Sequence, residues 1–321
     1  MVRCPRLTNK TISGRRRPFT GTHNFHGGIK IKTYNAVFLE IRRKLREAGI
    51  EAFDLEARLL AVAASGKTKE QLMRDRHLYV PDDSFVNAAD SLLQRRISGE
   101  PMAYILGEWE FYGLPINVNR HVLIPRVDTE VLVDAVRELF SDNLGGLRVL
   151  DMCAGSGCIG LALAANLPFG RVLLADISQE ALKICRANTL KNSLTRRATS
   201  IELNALEPPP MLLGLFDIIV CNPPYIATGD IKELDPSVRD FEPVMALDGG
   251  RDGFMFYRKI TSEWKSVLKD NGYMAFECGE GQADSVREIM EQNGFTDIKI
   301  YKDTLDIDRV IIGSLHNQGG S

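Results

Sequence analysis

The chain has 321 residues, of which 44% are apolar, so it is long enough to bury a large core and to divide into two domains. A formal net charge of −2 excludes a global basic footprint for nucleic acid, and no apolar run approaches the ~18 residues that a membrane helix needs. Six thinly spread cysteines contain no Cys-x-x-Cys pair, which favours a reducing, cytoplasmic compartment and a soluble protein.

The first 33 residues form a basic segment. Eight Lys and Arg side chains precede the first acidic residue, Glu40, and prolines and glycines interrupt any amphipathic helix. This composition favours a disordered leader over 1–33, with an organellar targeting segment as the alternative. His23 and His26 lie within it without a further ligand cluster nearby, and no metal site is predicted anywhere in the chain.

Residues 34–98 have a helical pattern. Val37, Phe38, Ile41 and Leu45 recur on one face before Gly49. Asp54 is expected to cap a second helix, and a further helix is expected after Asp82 or Asp83. These helices predict a small N-terminal helical domain.

Residues 99–130 are predicted to form a structured linker. The stretches "EWEFY" and "PINV" flank Gly113 and Leu114, which indicates a β-hairpin with a short turn. Asp128 or Thr129 is expected to cap the helix that follows. Arg126, Asp128 and Glu130 are interpreted as the charged start of that helix, with a role at the edge of the site as the alternative.

From residue 131 to 316 strands and helices alternate, and a long helix is predicted around 255–268. Seven stretches have strand character: "LRVLDM", "RVLLAD", "SIEL", "FDIIVC", "GYMAFEC", "DIKIYK" and "RVIIGSL". This alternation predicts an α/β domain with a mostly parallel sheet and helices on both faces. The last two strands are too close in sequence for a helical crossover, so we expect them to pair antiparallel.

A glycine-rich turn follows the first of these strands. "DMCAGSGCIG" contains Gly155, Gly157 and Gly160 before a helix, and Asp176 ends the next strand, where an acidic residue can hold a ribose hydroxyl. A dinucleotide and S-adenosylmethionine satisfy this pattern equally, and a tight turn without a ligand is the remaining alternative. The turn therefore indicates a nucleoside cofactor without specifying which.

The stretch "NPPY" directly follows a buried strand. The side-chain oxygen of Asn222 and the carbonyl of Pro223 can accept both N–H groups of a planar amino group, so that its nitrogen lone pair faces a methyl donor, and Tyr225 can lie against that group. This favours methyl transfer over a simple strand-ending turn. It also disfavours a dehydrogenase, for which His121 would be the one histidine near the sheet. An adenine base and a side-chain amide remain equal candidates for the acceptor.

The chain resembles the HemK/PrmC-type glutamine-N5 methyltransferases, which modify the glutamine of the Gly-Gly-Gln motif in peptide chain release factors. The resemblance covers residues 34–314 and rests on "GEPMAYILGEWEFYGL", "LIPRVDTEVLVD", the glycine turn, "NPPY", "RDFEPVMALDGGRDG" and "DIDRVIIG". It implies a Rossmann-like methyltransferase domain at 131–316, S-adenosylmethionine as donor, S-adenosylhomocysteine as product, and a helical domain that docks the release factor.

The resemblance also implies site residues. The cofactor would be bound by Cys153, Ala154, Gly155, Ser156, Gly157, Asp176, Asn204, Ala205 and Asn222. The acceptor glutamine would be bound by Asn222, Pro223, Pro224, Tyr225, Phe241, Glu242 and Pro243, and we expect the catalytic residues among these to be Asn222, Pro223 and Tyr225. Two departures concern the cofactor: Cys153 and Ala154 replace a more usual Gly-Thr, and Asn204 replaces an acidic residue.

The sequence is therefore interpreted as a monomeric release factor glutamine methyltransferase. An adenine-N6 methyltransferase would need a basic groove beside Asn222, whereas Asp230, Glu233, Asp235, Asp240 and Glu242 outnumber Lys232 and Arg239 there. A binding module without activity would be expected to have a broken glycine turn. Glu277 and Gln282 are interpreted as structural residues.

Overall fold

The computed structural model describes residues 32–142, 145–167 and 170–316. The predicted leader, except for Lys32 and Thr33, lies outside the described residues, as do His23 and His26. Contacts between Cα atoms divide the chain into two compact units, Met1–Asp90 and Ser91–Ser321. The domain bounds 34–98, 99–130 and 131–316 stay predictions. No helix in the described part of the chain is long and apolar enough to cross a bilayer.

The described part of the first unit is helical, as predicted. It contains α1 (Tyr34–Glu47), α2 (Phe53–Ser65), α3 (Lys69–Asp75) and the first turns of α4 (Ser84–Ile97). The buried face of α1 includes Val37, Ile41 and Leu45, and α2 packs against this helix. The prediction that Asp54 caps α2 is wrong, because the helix already begins at Phe53 and the Asp54 carboxylate accepts hydrogen bonds from Arg42 and Arg58.

The second unit begins with the end of α4, a short helix α5 (Met102–Leu106) and the predicted hairpin. Its strands are β1 (Glu108–Phe111) and β2 (Leu114–Asn117), paired antiparallel with Phe111 opposite Leu114. The turn consists of Tyr112 and Gly113, whose φ angles are both positive at 51° and 74°. Such a two-residue turn matches the right-handed twist of the strands. Leu114 therefore belongs to the second strand and not to the turn.

A seven-stranded sheet forms the centre of the second unit and confirms the predicted fold class. Its strands are β3 (Arg148–Met152), β4 (Arg171–Asp176), β5 (Ala198–Glu202), β6 (Phe216–Cys221), β7 (Leu268–Glu277), β8 (Phe295–Lys302) and β9 (Asp308–Leu315). Their order is β5-β4-β3-β6-β7-β9-β8. The pairs among β3 to β7 are parallel, whereas β9 lies antiparallel to both β7 and β8.

Two apolar clusters cover the two faces of this sheet. Along β6, Ile218 and Val220 belong to one cluster and Ile219 and Cys221 to the other, as the alternation of a buried strand requires. Helices α6 (Glu130–Leu139) and α7 (Cys158–Asn166) contribute to the first cluster, and α10 (Met255–Glu263) and α11 (Ala283–Gln292) to the second. The remaining helices are α8 (Gln179–Lys191) and α9 (Pro236–Arg239).

Two helix predictions need correction. The predicted helix over 255–268 ends at Glu263 and continues as a 3-10 turn, Trp264–Val267, before β7. A 3-10 turn, Val127–Thr129, also precedes α6, and Thr129 makes no capping hydrogen bond there. Its hydroxyl is therefore available for another partner.

The strand order reverses between β3 and β6. The chain moves outward from β3 through β4 to β5, then returns to β6 on the other side of β3. In open α/β sheets the crevice at the carboxyl ends of strands beside such a reversal is the usual ligand site. The glycine turn after β3 and the asparagine after β6 both lie at this edge.

Candidate functional site

A cavity of about 450 Å³ opens at the carboxyl edge of the sheet, within the volume range of small-molecule sites, roughly 300–1,000 Å³. It is lined by residues that follow β3, β4, β5 and β6 and by part of the segment 121–129. Further along the chain it is lined by Pro243, Met245, Ala246 and Phe256. The strand ends thus bring together residues that are far apart in sequence.

The glycine turn forms one wall of this cavity. Gly155 and Gly157 have φ angles of 54° and 81°, and a Cβ atom at Gly157 would lie 2.8 Å from Cys185 Sγ. A Cβ atom at Gly160 would lie 2.2 Å from Leu174 Cδ2, so this glycine lets α7 pack closely on the sheet. Cys153, Ala154, Gly155 and Ser156 line the cavity, whereas Gly157 lies outside the lining.

Asp176 fixes this turn as well as lining the cavity. Its Oδ2 accepts a hydrogen bond of 2.8 Å from the Gly155 amide, and its Oδ1 accepts one of 2.8 Å from the Ser178 amide at the start of α8. Burial raises the pKa of this carboxyl group above its ordinary value. The carboxylate therefore joins the ends of β3 and β4.

The segment after β5 forms the opposite side. Asn204 and Ala205 both line the cavity. Asn204 Oδ1 accepts a hydrogen bond of 3.0 Å from the Leu206 amide, and its Nδ2 donates to Glu207. The main-chain oxygen of Ala205 accepts a hydrogen bond from the indole of Trp264. Local hydrogen bonds of Asn204 and the hydrogen bond from Trp264 to Ala205 therefore hold this segment in place.

Asn222 presents its side chain to the cavity at the end of β6. Its Nδ2 lies 3.4 Å from Thr129 Oγ1, at the long end of the hydrogen-bonding range. Its Oδ1 accepts no hydrogen bond from the described residues. Only Asp151 Oδ1 and Glu277 Oε2 among the described residues are buried side-chain polar atoms without a partner, so Asn222 Oδ1 is accessible to solvent. No donor of the described residues reaches the main-chain oxygen of Pro223. The two predicted acceptor atoms therefore have no hydrogen-bond donor among the described residues.

The rest of "NPPY" supports this arrangement. Pro224 lines the cavity, whereas Pro223 and Tyr225 lie outside the lining. The main-chain oxygen of Tyr225 accepts a hydrogen bond of 2.9 Å from Gln282 Nε2. Burial raises the pKa of the Tyr225 hydroxyl to about 12, so this ring stays neutral at physiological pH.

The predicted segment Phe241 to Pro243 reaches the cavity through Pro243. Phe241 packs against the apolar cluster of α6 and α7. Glu242 is only 5% exposed; its Oε1 pairs with Arg126, and its Oε2 accepts a hydrogen bond of 3.1 Å from the Ile124 amide. Arg126, interpreted from the sequence as part of a helix start, lines the cavity and is held there by Glu242.

Comparisons with known proteins agree with this geometry. Residues 37–107 match the model of the PrmC N-terminal domain, and residues 127–234 match the model of the methyltransferase small domain. A release factor glutamine methyltransferase of Geobacter sulfurreducens is 39% identical over 293 residues, covering 89% of this chain and 98% of that protein. One of Clostridium acetobutylicum is 38% identical over 268 residues, covering 84% and 93%.

The chain belongs to the release factor glutamine methyltransferase family. The resemblance read from the sequence is thereby confirmed, as is the enzyme class of methyltransferase. A solved structure of the hMettl16 catalytic domain with a MAT2A 3'UTR hairpin aligns with a TM-score of 0.53 at 17% identity, covering 74% of this chain and 83% of that one. This likeness concerns the fold alone.

Three polar residues beside the site of this family member received no site role from the sequence. Asp151 is completely buried in β3, and its Oδ2 accepts a hydrogen bond of 2.8 Å from the Gly160 amide. Glu277, interpreted as structural, ends β7 beside Asn222. Thr129, interpreted as a cap, contacts Asn222. An acidic residue within or ending an otherwise apolar strand is the signal that could have indicated Asp151 and Glu277.

Proposed function

We propose that this chain transfers a methyl group from S-adenosylmethionine to the side-chain amide nitrogen, N5, of the glutamine in the Gly-Gly-Gln motif of peptide chain release factors. The observation that carries the proposal is a pair of acceptor atoms that no described donor reaches: Asn222 Oδ1, which belongs to a residue lining a nucleoside-sized cavity, and the main-chain oxygen of the adjacent Pro223. Membership of the release factor glutamine methyltransferase family supports the choice of a glutamine amide.

The cavity suits S-adenosylmethionine, which supplies a methyl carbon bonded to a positively charged sulfur. The turn Cys153–Gly157 allows close approach of the backbone, and Asp176 can accept hydrogen bonds from ribose hydroxyls with its remaining lone pairs. Asn204 and Ala205 line the part of the cavity that we assign to the adenine. The donor set therefore fits the cofactor despite the departures at Cys153, Ala154 and Asn204.

Asn222 and Pro223 would orient the acceptor. An amide nitrogen is a weak nucleophile because its lone pair is delocalised, and two acceptors that hold both N–H groups direct this lone pair towards the methyl carbon. Bound S-adenosylmethionine would supply the methyl carbon and leave as a neutral thioether with the electron pair of the broken C–S bond, and the methylated amide nitrogen would lose one proton to water. Orientation of this kind can supply about 7–11 kcal/mol in an ideally placed pair.

The alternative acceptor, an adenine base, is disfavoured by charge. In the stretch 230–240 beside the site, Asp230, Glu233, Asp235 and Asp240 are exposed, and Arg239 is paired with Asp240. A groove for nucleic acid requires the opposite sign. We expect the helical region 34–98 to dock the release factor and the protein to act as a monomer.

The direct test is incubation with labelled S-adenosylmethionine and one of three acceptors. An intact release factor should become labelled, whereas its Gln-to-Ala variant and duplex DNA should not. Label on the variant, or on DNA alone, would refute the proposal.

The variant Asn222→Ala tests the acceptor geometry. Loss of one preorganised hydrogen-bonding group at a reacting centre costs about 10²–10³-fold in kcat, and we expect a loss of at least this size. Binding of S-adenosylhomocysteine, measured by calorimetry, should change much less. Asn166→Ala, at the exposed end of α7, is the matched control and should keep full activity. Full activity of Asn222→Ala would contradict the two-acceptor arrangement.

A further inference from the structure

A buried acid lies next to the proposed acceptor site. Cys221 of β6 pairs with Phe276 of β7, so the residues that follow them, Asn222 and Glu277, end neighbouring parallel strands. Glu277 is 2% exposed, and its Oε2 has no hydrogen-bond partner among the described residues. Its main-chain oxygen is held by the hydroxyl of Tyr257 at 2.9 Å. Burying a carboxyl group that lacks hydrogen-bond partners reduces the stability of the fold. Such a group in a native structure therefore calls for a functional explanation.

Thr129 connects this acid to Asn222. The Thr129 hydroxyl and the Asn222 amide are near enough to the carboxyl group of Glu277 to lower its pKa, although the effect of burial, which raises it, is larger. Asn222 Nδ2 in turn donates to Thr129 Oγ1. A threonine hydroxyl has a single proton. When that proton is donated to a carboxylate, the hydroxyl oxygen can only accept, and the end of Asn222 that faces it must be the NH₂ group.

We propose that Glu277 is a positioning residue that, through Thr129, holds the Asn222 amide with its oxygen towards the acceptor glutamine. The two ends of an asparagine amide have nearly the same shape, so packing alone selects poorly between them. The negative charge of the carboxylate decides which end of the amide faces it, because it attracts N–H donors and repels the amide oxygen. This inference rests on the proposed function and adds the group that orients its principal acceptor.

Protonation of Glu277 would reverse the chain of hydrogen bonds. A neutral carboxyl group can donate to Thr129, which can then donate to the Asn222 oxygen and turn the NH₂ group towards the substrate. Burial raises the pKa of Glu277 to about 7, so this state grows as the pH falls through neutrality. The titratable and charged groups around Glu277 are Asp128, Cys158, Tyr225, Tyr257, Cys278 and Arg309. Burial raises the pKa of both tyrosines and both thiols, so they remain protonated near pH 7.

The experiment compares kcat and KM of the full-length protein from pH 6 to 9, with both substrates varied. The wild type should lose up to about tenfold in kcat per pH unit below the pKa, at nearly constant KM for S-adenosylmethionine. Glu277→Gln should have a kcat roughly tenfold lower at pH 8 and no such fall at low pH. Thr129→Val should also lose roughly tenfold, and Thr129→Ser, which keeps the hydroxyl, should restore most of the rate.

The double variant separates this role from a structural one. Because both residues act on Asn222 through one chain of hydrogen bonds, Thr129→Val combined with Glu277→Gln should be little slower than the slower single variant. Thr261→Val removes another buried threonine hydroxyl, within α10, and should keep the wild-type profile. Unfolding midpoints of all variants show whether each is folded.

The outcomes distinguish the two proposals. Suppose that the wild type methylates a release factor, and that Glu277→Gln keeps both the wild-type kcat and its fall at low pH. This result overturns the role of Glu277 and leaves the proposed function standing. A fully additive double variant overturns this role as well. Failure of the wild type to methylate any release factor, despite binding S-adenosylhomocysteine, overturns the proposed function and this inference with it.

Discussion

At the scale of single residues, a buried acid supports the glycine turn. Asp151 accepts the Gly160 amide in the first turn of α7, where a negative charge is favourable to a helix. Its Oδ1 has no partner among the described residues, and burial raises the pKa of the group to about 7. The folded protein thus holds a proton that the unfolded chain has already released between pH 4 and 7.

This difference predicts a pH-dependent gain in stability for Asp151→Asn. A pKa that is higher in the folded state gives a stability contribution that is present below the unfolded value and is lost as the pH rises through about 7. Asparagine keeps an oxygen for the Gly160 amide but cannot ionise. At pH 8 the variant should be more stable than the wild type by about 2–4 kcal/mol, and the gain should shrink at pH 5.

Urea unfolding at the two pH values measures this gain. Asp230→Asn, at an exposed position, is the control and should show little change. Equal stability of Asp151→Asn and the wild type at pH 8 would show that ionised Asp151 is not penalised by burial.

At the scale of secondary-structure elements, one side chain of α8 connects the hairpin to the glycine turn. Asn188 is completely buried; its Oδ1 accepts from the Asn117 amide at 2.7 Å, and its Nδ2 donates to the oxygens of Asn117 and Ser156 at 3.0 and 2.9 Å. The hairpin, the helix and the glycine turn therefore share one set of hydrogen bonds. An isolated two-stranded hairpin is only marginally stable, so this attachment matters for β1 and β2.

Asn188→Ala should weaken both the fold and cofactor binding. Three lost hydrogen bonds, two of which leave main-chain groups of Asn117 without a partner, predict a loss of about 3 kcal/mol in the free energy of unfolding. Affinity for S-adenosylhomocysteine should fall because Ser156 loses its support. Chemical denaturation and calorimetry measure the two effects.

The control for this variant lies one turn later, directly after the last residue of α8. Asn192 also reaches the hairpin, through the oxygen of Pro115, but is partly exposed. Asn192→Ala should therefore lose about 1 kcal/mol and keep the cofactor affinity. Equal effects of the two substitutions would contradict a specific role for Asn188.

The sequence predicted those elements whose signals are local. Alternating strands and helices, the glycine turn and the hairpin were recognised because each has its own periodicity or turn residues. The helices α3 and α5 were missed because seven and five residues are too few to show a period. The surroundings of Thr129, Arg126 and Glu277 could not be predicted for a different reason. The residue beside each of them, Asn222 or Glu242, lies about 50 to 120 positions away along the chain, so only the folded chain reveals it.

At the scale of the whole molecule, the cavity and the helical unit are separate in sequence. Every residue that lines the cavity belongs to the second unit, Ser91–Ser321. The glycine turn, the acceptor atoms and Glu277 all lie there too. If the first unit contributes mainly by docking the release factor, its removal should affect recognition of the intact substrate and leave cofactor binding in place.

A shortened chain that begins at Asp82 tests this division. It omits α1 to α3 and retains all of α4, because the boundary between the units falls within that helix. We expect this chain to bind S-adenosylhomocysteine within a few fold of the full-length protein. Its kcat/KM for an intact release factor should fall by at least about 100-fold, since a docking surface worth about 3 kcal/mol is lost. A short peptide that contains Gly-Gly-Gln but lacks the rest of the release factor should be methylated equally by both chains. If the shortened chain loses activity equally towards the peptide and the intact protein while it still binds S-adenosylhomocysteine, the helical unit must instead contribute to the acceptor site.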